Sequence, residues 1–170
     1  SWNTLIAMYS EEGLGEKSLD CLEQMQLEGF SPNALTFTFI LKACGNMNAA
    51  AKGHEIHAKM VKTGFLDENL MVGDALIEMY VKFRLFCEAQ QVFDTLLVRD
   101  VVSWTSLISG YSHQGHGVLA LDLFRQMQAK GIKPERATFL SLLRACAHMS
   151  AGRHGNLIYG QIVENQLDSG

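Results

Sequence analysis

Apolar residues recur along this chain as pairs of helical stripes. Trp2, Leu5, Ile6 and Tyr9 have the spacing i, i+3, i+4, i+7 of one helix face. The frame returns at Phe37, Ile40, Leu41, Cys44, then at Gly73, Leu76, Ile77, Tyr80. It appears again at Trp104, Leu107, Ile108, Tyr111 and at Phe139, Leu142, Leu143, Cys146, so the steps are 35, 36, 31 and 35 residues. A second stripe follows each frame: Ser18, Cys21, Leu22, Met25; Gly53, Ile56, His57, Met60; Ala89, Val92, Phe93, Leu96. The last two are Ala120, Leu123, Phe124, Met127 and Gly155, Ile158, Tyr159, Ile162. Each unit is therefore predicted to be two antiparallel helices joined by a short turn and stacked on the next pair.

The repetition is also visible residue by residue. Laying Ser1–Glu68 on Ser103–Gly170 without a gap matches about 25 of 68 positions, among them Leu5/Leu107, Tyr9/Tyr111, Pro32/Pro134 and Cys44/Cys146. Self-similarity at a fixed offset marks a repeat array. The array divides into 1–33, 34–69 (long), 70–100 (short), 101–135 (standard) and 136–170 (long and incomplete). Gly13–Gly15 and Gly115–Gly117 are expected to form turns within units, because glycine tolerates the left-handed backbone that ends a helix. The only prolines, Pro32 and Pro134, fall between units, where they would stop one helix and set the entry to the next. No strand pattern interrupts the series, and the expected fold class is all-α, an α-solenoid.

Composition narrows the function classes. With 48% hydrophobic and 19% charged residues the chain is globular in character, and no apolar run approaches a membrane span. The opening within a first helix and the incomplete last unit lead us to expect a piece of a longer array. No catalytic or metal-binding motif stands out. His54 and His57, like His113 and His116, have a spacing a metal could use, but no Cys-x2-Cys accompanies them. Cys44 and Cys146 share a core frame position and read as small apolar packers, which suits a reducing compartment. No metal site and no cofactor is expected.

Several phrases resemble the pentatricopeptide repeat family: Val101–Tyr111, Ala120–Met127 and Gly131–Pro134. Leu41–Cys44 with Gly53–His57, and Ala75–Tyr80 with Gln91–Asp94, are similar to the long and short repeats of its plant PLS subclass, as is the 35, 36, 31 order of lengths. The resemblance implies a right-handed superhelix that binds single-stranded RNA, about one base per repeat. Unstacked bases can be gripped by apolar side chains and hydrogen-bonded on their Watson–Crick edges. It further implies a base-reading pair in each repeat: Asn3 with Asn33, Thr38 with Asn69, Asp74 with Asp100, Thr105 with Glu135, and Leu140 alone in the fifth. Base-clamping wedges would be Leu35, Met71, Val102 and Ala137.

The hydrogen-bonding inventory gives these pairs content. Two asparagines suit a pyrimidine, with the family preference toward cytosine. Thr105 with Glu135 suits a purine, because a carboxylate only accepts. Thr38 with Asn69 suits adenine, whereas two acceptors, Asp74 and Asp100, match most bases poorly. Polar residues at helix starts also cap free N–H groups, so Asn33, Thr36 and Thr138 have that competing reading. The net charge of −4 runs against nucleic-acid binding in bulk, leaving Lys42, Lys82 and Arg144 as candidate phosphate contacts. In the family setting the module would help select organellar transcript sites, in mitochondrion or chloroplast, for C-to-U editing. The alternative is a protein-interaction scaffold that holds editing-complex partner proteins through its long repeats. Self-association through uncapped ends is also expected at Trp2 and around Ile158–Ile162.

Overall fold

The computed structural model describes residues 1–66, 69–149, 160, 163 and 164. Among them lie the helices α1 (Trp2–Glu11), α2 (Gly15–Leu27), α3 (Ala34–Met47), α4 (Ala50–Lys62) and α5 (Leu70–Lys82). They continue with α6 (Phe86–Thr95), α7 (Val101–His113), α8 (Gly117–Ala129) and α9 (Arg136–His148). The second stripe of the last unit, and with it Ile158 and Ile162, lies outside the described residues.

The chain forms two compact units, Ser1–Val98 and Arg99–Gly170. In the first, α3 packs between α1 and α5, while α2 lies on α1 and α3, α4 on α3, and α6 on α5. In the second, α7, α8 and α9 pack on one another. The recurring frame is what the packing buries: Ile6, Ile40, Leu41, Cys44, Leu76, Ile77, Tyr80, Trp104, Leu107, Ile108 and Leu142 are all within the core. Leu5 departs from it. On α1 it stays 41% exposed, beside an equally exposed Met8.

Helix ends explain the punctuation more finely than the sequence did. Gly13, Gly29, Gly115 and Gly131 take φ of +74°, +84°, +75° and +74°, the left-handed region that closes a helix. Gly29 and Gly131 thus end α2 and α8 before the chain reaches Pro32 and Pro134, so the prolines govern entry to the next helix rather than the stop. Gly15 and Gly117, expected in turns, are instead the first residues of α2 and α8, buried under the side chains of Met47 and Met149. Their lack of a Cβ serves close packing.

Candidate nucleic-acid interface

The start of α3 gathers four polar groups. Asn33 precedes the helix in extended backbone, and its Oδ1 accepts from the Thr36 backbone N–H at 3.0 Å. Thr36 returns the bond: its Oγ1 accepts from the Asn33 backbone N–H at 3.1 Å, completing a reciprocal cap. Asn3, one residue into α1, joins this cap from the neighbouring helix. Its Nδ2 donates to Asn33 Oδ1 at 3.1 Å, and its Oδ1 accepts the Thr36 hydroxyl at 2.6 Å. Asn33 is exposed, Asn3 half-buried and Thr36 fully buried. The structure therefore brings Asn3 and Asn33, 30 residues apart, into direct contact.

The second unit repeats part of this geometry at positions 102 residues on. Thr138 Oγ1 accepts from the Glu135 backbone N–H at 3.1 Å and lies 2.7 Å from Thr105 Oγ1. Thr138 is buried, Thr105 half-buried and Glu135 exposed. Thr36 and Thr138 read from sequence only as helix caps. Their shared offset was the one signal that they link neighbouring helices.

The other pairs are arranged differently. Thr38 Oγ1 donates to the Ala34 carbonyl of its own helix at 2.9 Å, and Asn69 Nδ2 donates to the Phe65 carbonyl at 3.2 Å. These two side chains bond locally instead of to each other. Asp74 lies on α5 in the first unit. Asp100, in the second unit, caps α7 by accepting from the Val102 and Ser103 backbone N–H groups at 2.8 and 3.1 Å. Leu140, on α9, is exposed.

Leu35, Met71, Val102 and Ala137 each occupy the second position of their helix, and all four are exposed. Three bulky apolar side chains standing at 43%, 54% and 49% exposure (Leu35, Met71, Val102) supply surface a flat ring could cover. Thr38 and Lys42 share a small hollow between α3 and α5, about 50 Å³, with Ala75, Glu78 and Lys82. Lys42 is exposed there, whereas Lys82 is engaged, 3.4 Å from Glu78 and 2.8 Å from Asn46 Oδ1. The Arg144 guanidinium contacts the His113 ring. A second cleft of about 510 Å³ opens beside α4 and α6, lined by His54, His57, Val61, Tyr80, Glu88 and Leu97 among others. No cluster of potential metal ligands occurs among the described residues.

Helical hairpins with polar residues ranged at the starts of the first helices define a repeat protein of the α-solenoid class. A sequence profile of the PPR repeat family matches residues 1–46 and 99–148. The chain is 37% identical over 163 residues to pentatricopeptide repeat-containing protein At4g30700 of Arabidopsis thaliana, which covers 96% of this chain and 20% of that protein. It is 36% identical over 170 residues to pentatricopeptide repeat-containing protein At4g25270, chloroplastic, of the same plant, covering 99% of this chain and 31% of the relative. The crystal structure of maize PPR10 superposes with a TM-score of 0.72 at 17% identity. That of PPR10 in complex with an 18-nt psaJ RNA element gives 0.78 at 18%, each over 97% of this chain and 25% of PPR10. The chain belongs to the pentatricopeptide repeat family, and its fold is the all-α solenoid of that family.

Proposed function

We propose that this chain is a segment of a single-stranded RNA-binding array that reads bases through side chains at the starts of its first helices. The repeats at 1–33, 34–69, 70–100, 101–135 and 136–170 set the register. The observation that carries the reading is the contact between Asn3 and Asn33. Two amides from successive first helices converge at one exposed point, with further hydrogen-bonding capacity unspent. Asn3/Asn33 then read a pyrimidine and Thr105/Glu135 a purine three nucleotides 3′ of it. Leu35, Met71, Val102 and Ala137 hold the bases, and Lys42 and Arg144 meet phosphates. Thr38/Asn69 and Asp74/Asp100 contribute little selectivity, the first because both side chains are committed to nearby carbonyls. The biological setting of this reading is the selection of organellar transcript sites for C-to-U editing; in its favour, one of the plant relatives is chloroplastic.

Asn33→Asp is the discriminating experiment. Aspartate caps a helix as well as asparagine does, so the substitution leaves the cap intact and changes only what faces the base, from N–H donors to a carboxylate acceptor. Preference should move from cytosine to uracil at one position, by about 1–3 kcal/mol, and the purine preference should stay. Equal weakening for all four bases would reduce Asn33 to a cap.

A second reading, a protein-docking role for the long unit, is favoured by the cleft beside α4 and α6, where Val61 and Leu97 are exposed. Val61→Asp, in the long unit, should abolish capture of a partner protein without altering an RNA gel shift if that reading is right.

A further inference from the structure

The two reading amides at the start of α3 do not choose their own orientation. We infer that Thr36, buried beneath both, fixes the donor and acceptor polarity of the Asn3/Asn33 pair and thereby makes the site favour cytosine over uracil. The inference rests on the reading of Asn3 and Asn33 as base contacts proposed above.

An amide side chain can be turned over at almost no internal cost, exchanging a donor for an acceptor. Something irreversible must therefore set it. Here that group is the Thr36 backbone N–H, which can only donate. It lies 3.0 Å from Asn33 Oδ1, so turning Asn33 over would set two donors against each other. With oxygen held inward, Asn33 Oδ1 also accepts an Nδ2 proton of Asn3 at 3.1 Å and lies 3.0 Å from the Thr36 hydroxyl, so it is fully engaged. Asn3 is now committed as well: its Oδ1 lies toward Thr36 and accepts the hydroxyl proton at 2.6 Å. The Thr36 hydroxyl accepts from the Asn33 backbone N–H at 3.1 Å and gives its one proton to the shorter of its two contacts, Asn3 Oδ1 at 2.6 Å against Asn33 Oδ1 at 3.0 Å. The ring of bonds closes in this one sense. Reversing Asn3 would oppose its oxygen to that of Asn33.

What remains outward follows by subtraction. The exposed Asn33 keeps both Nδ2 protons and no free acceptor. Ring N3 of cytosine is an acceptor, whereas ring N3 of uracil carries a proton. A donor-only amide pairs with the first and meets the second donor to donor. The second unit shares the threonine bridge between neighbouring helices but leaves its sense open. Thr138 accepts from the Glu135 backbone N–H at 3.1 Å and shares a hydroxyl–hydroxyl hydrogen bond of 2.7 Å with Thr105, in which either oxygen can donate.

The test compares Thr36→Val, which keeps the shape and removes the hydroxyl, with Thr36→Ser, which keeps it. Both are made in the full natural array and read against a randomised single-stranded RNA pool. The position in question is the one where Asn33→Asp changes preference. The parent should favour cytosine over uracil there by about tenfold. Thr36→Ser should retain that ratio, and Thr36→Val, which keeps the backbone N–H that orients Asn33 but leaves Asn3 Oδ1 without its donor and open to the uracil N3 proton, should reduce it to about twofold with preferences elsewhere unchanged. A folded Thr36→Val variant that keeps the full ratio, with or without a uniform loss of affinity, overturns the inference and leaves the reading of Asn33 standing. If Asn33→Asp moves nothing, the base-contact reading itself falls. Should Thr36→Val fail to fold, side-chain amide exchange by NMR in the parent decides. One protected Asn3 proton beside two fast-exchanging Asn33 protons supports the polarity, and a protected Asn33 amide overturns it.

Discussion

The Tyr80 hydroxyl lies 2.7 Å from Nδ1 of His57, a hydrogen bond that ties α5 to α4. Tyr80 is fully buried. Burial pushes its hydroxyl up to about 12, with the charge of Glu88 adding to the effect. Burial also pushes the His57 imidazole down, helped by neighbouring His54. Both shifts favour a neutral tyrosine against a neutral histidine.

Tyr80→Phe removes that bond while keeping the ring. The expected loss is about 1 kcal/mol, read as a fall in melting temperature of roughly 3 °C. An unchanged melting temperature would show that the pair contributes nothing net.

His57 also makes stability depend on pH. Its folded pKa lies below the ordinary 6.5, so the unfolded chain takes up the proton first as pH falls. The favourable contribution is complete above about 6.5 and is lost as pH drops from there through the lowered folded value. Melting temperature should decline between pH 7 and pH 5. His57→Gln, which cannot take a charge, should flatten that decline.

An alanine methyl at Gly15 would overlap the Met47 thioether, a flexible neighbour able to give way in part. Gly15→Ala should cost about 1–3 kcal/mol. Met47→Ala in the same chain should relieve part of that cost, so that the two changes are non-additive in a denaturant double-mutant cycle. Strict additivity would deny the contact.

Leu5 and Met8, three residues apart on α1, form an exposed apolar strip. Concentration-dependent association in sedimentation should follow from it, and Leu5→Lys with Met8→Lys should leave a monomer.

The folding pattern was legible in the sequence because the buried face repeats. Ile6, Leu41, Ile77 and Ile108 hold the same frame position and all enter the core, while their counterpart Leu143 is half-buried and its neighbour Leu142 is buried instead. Helix ends were half legible. The left-handed glycines could be anticipated from turn chemistry, but the burial of Gly15 depends on Met47, 32 residues away. The linkage of Thr36 to Asn3 was hidden for the same reason. A threonine three residues after an asparagine reads as a local cap, and nothing nearby in sequence says that a third residue from the preceding first helix closes the ring. Asn69 illustrates the converse. Its place at the end of a repeat suggested an outward reader, whereas the Phe65 carbonyl one turn back takes its amide.

The reciprocal cap at Asn33 has a further consequence for how such an array can diversify. On the reading proposed above, the residue that faces the base also starts the next helix, so any substitution there is screened first for its ability to accept from a backbone N–H. Asparagine, aspartate, serine and threonine pass that screen, whereas alanine and the aliphatics lose about 1 kcal/mol. On that reading the recognition alphabet is biased toward the short polar residues that begin helices well, with Glu135 at the start of α9 a longer acidic member. New specificities arise by exchanging letters within that set, each of which keeps the fold while changing which edge of a base it can meet.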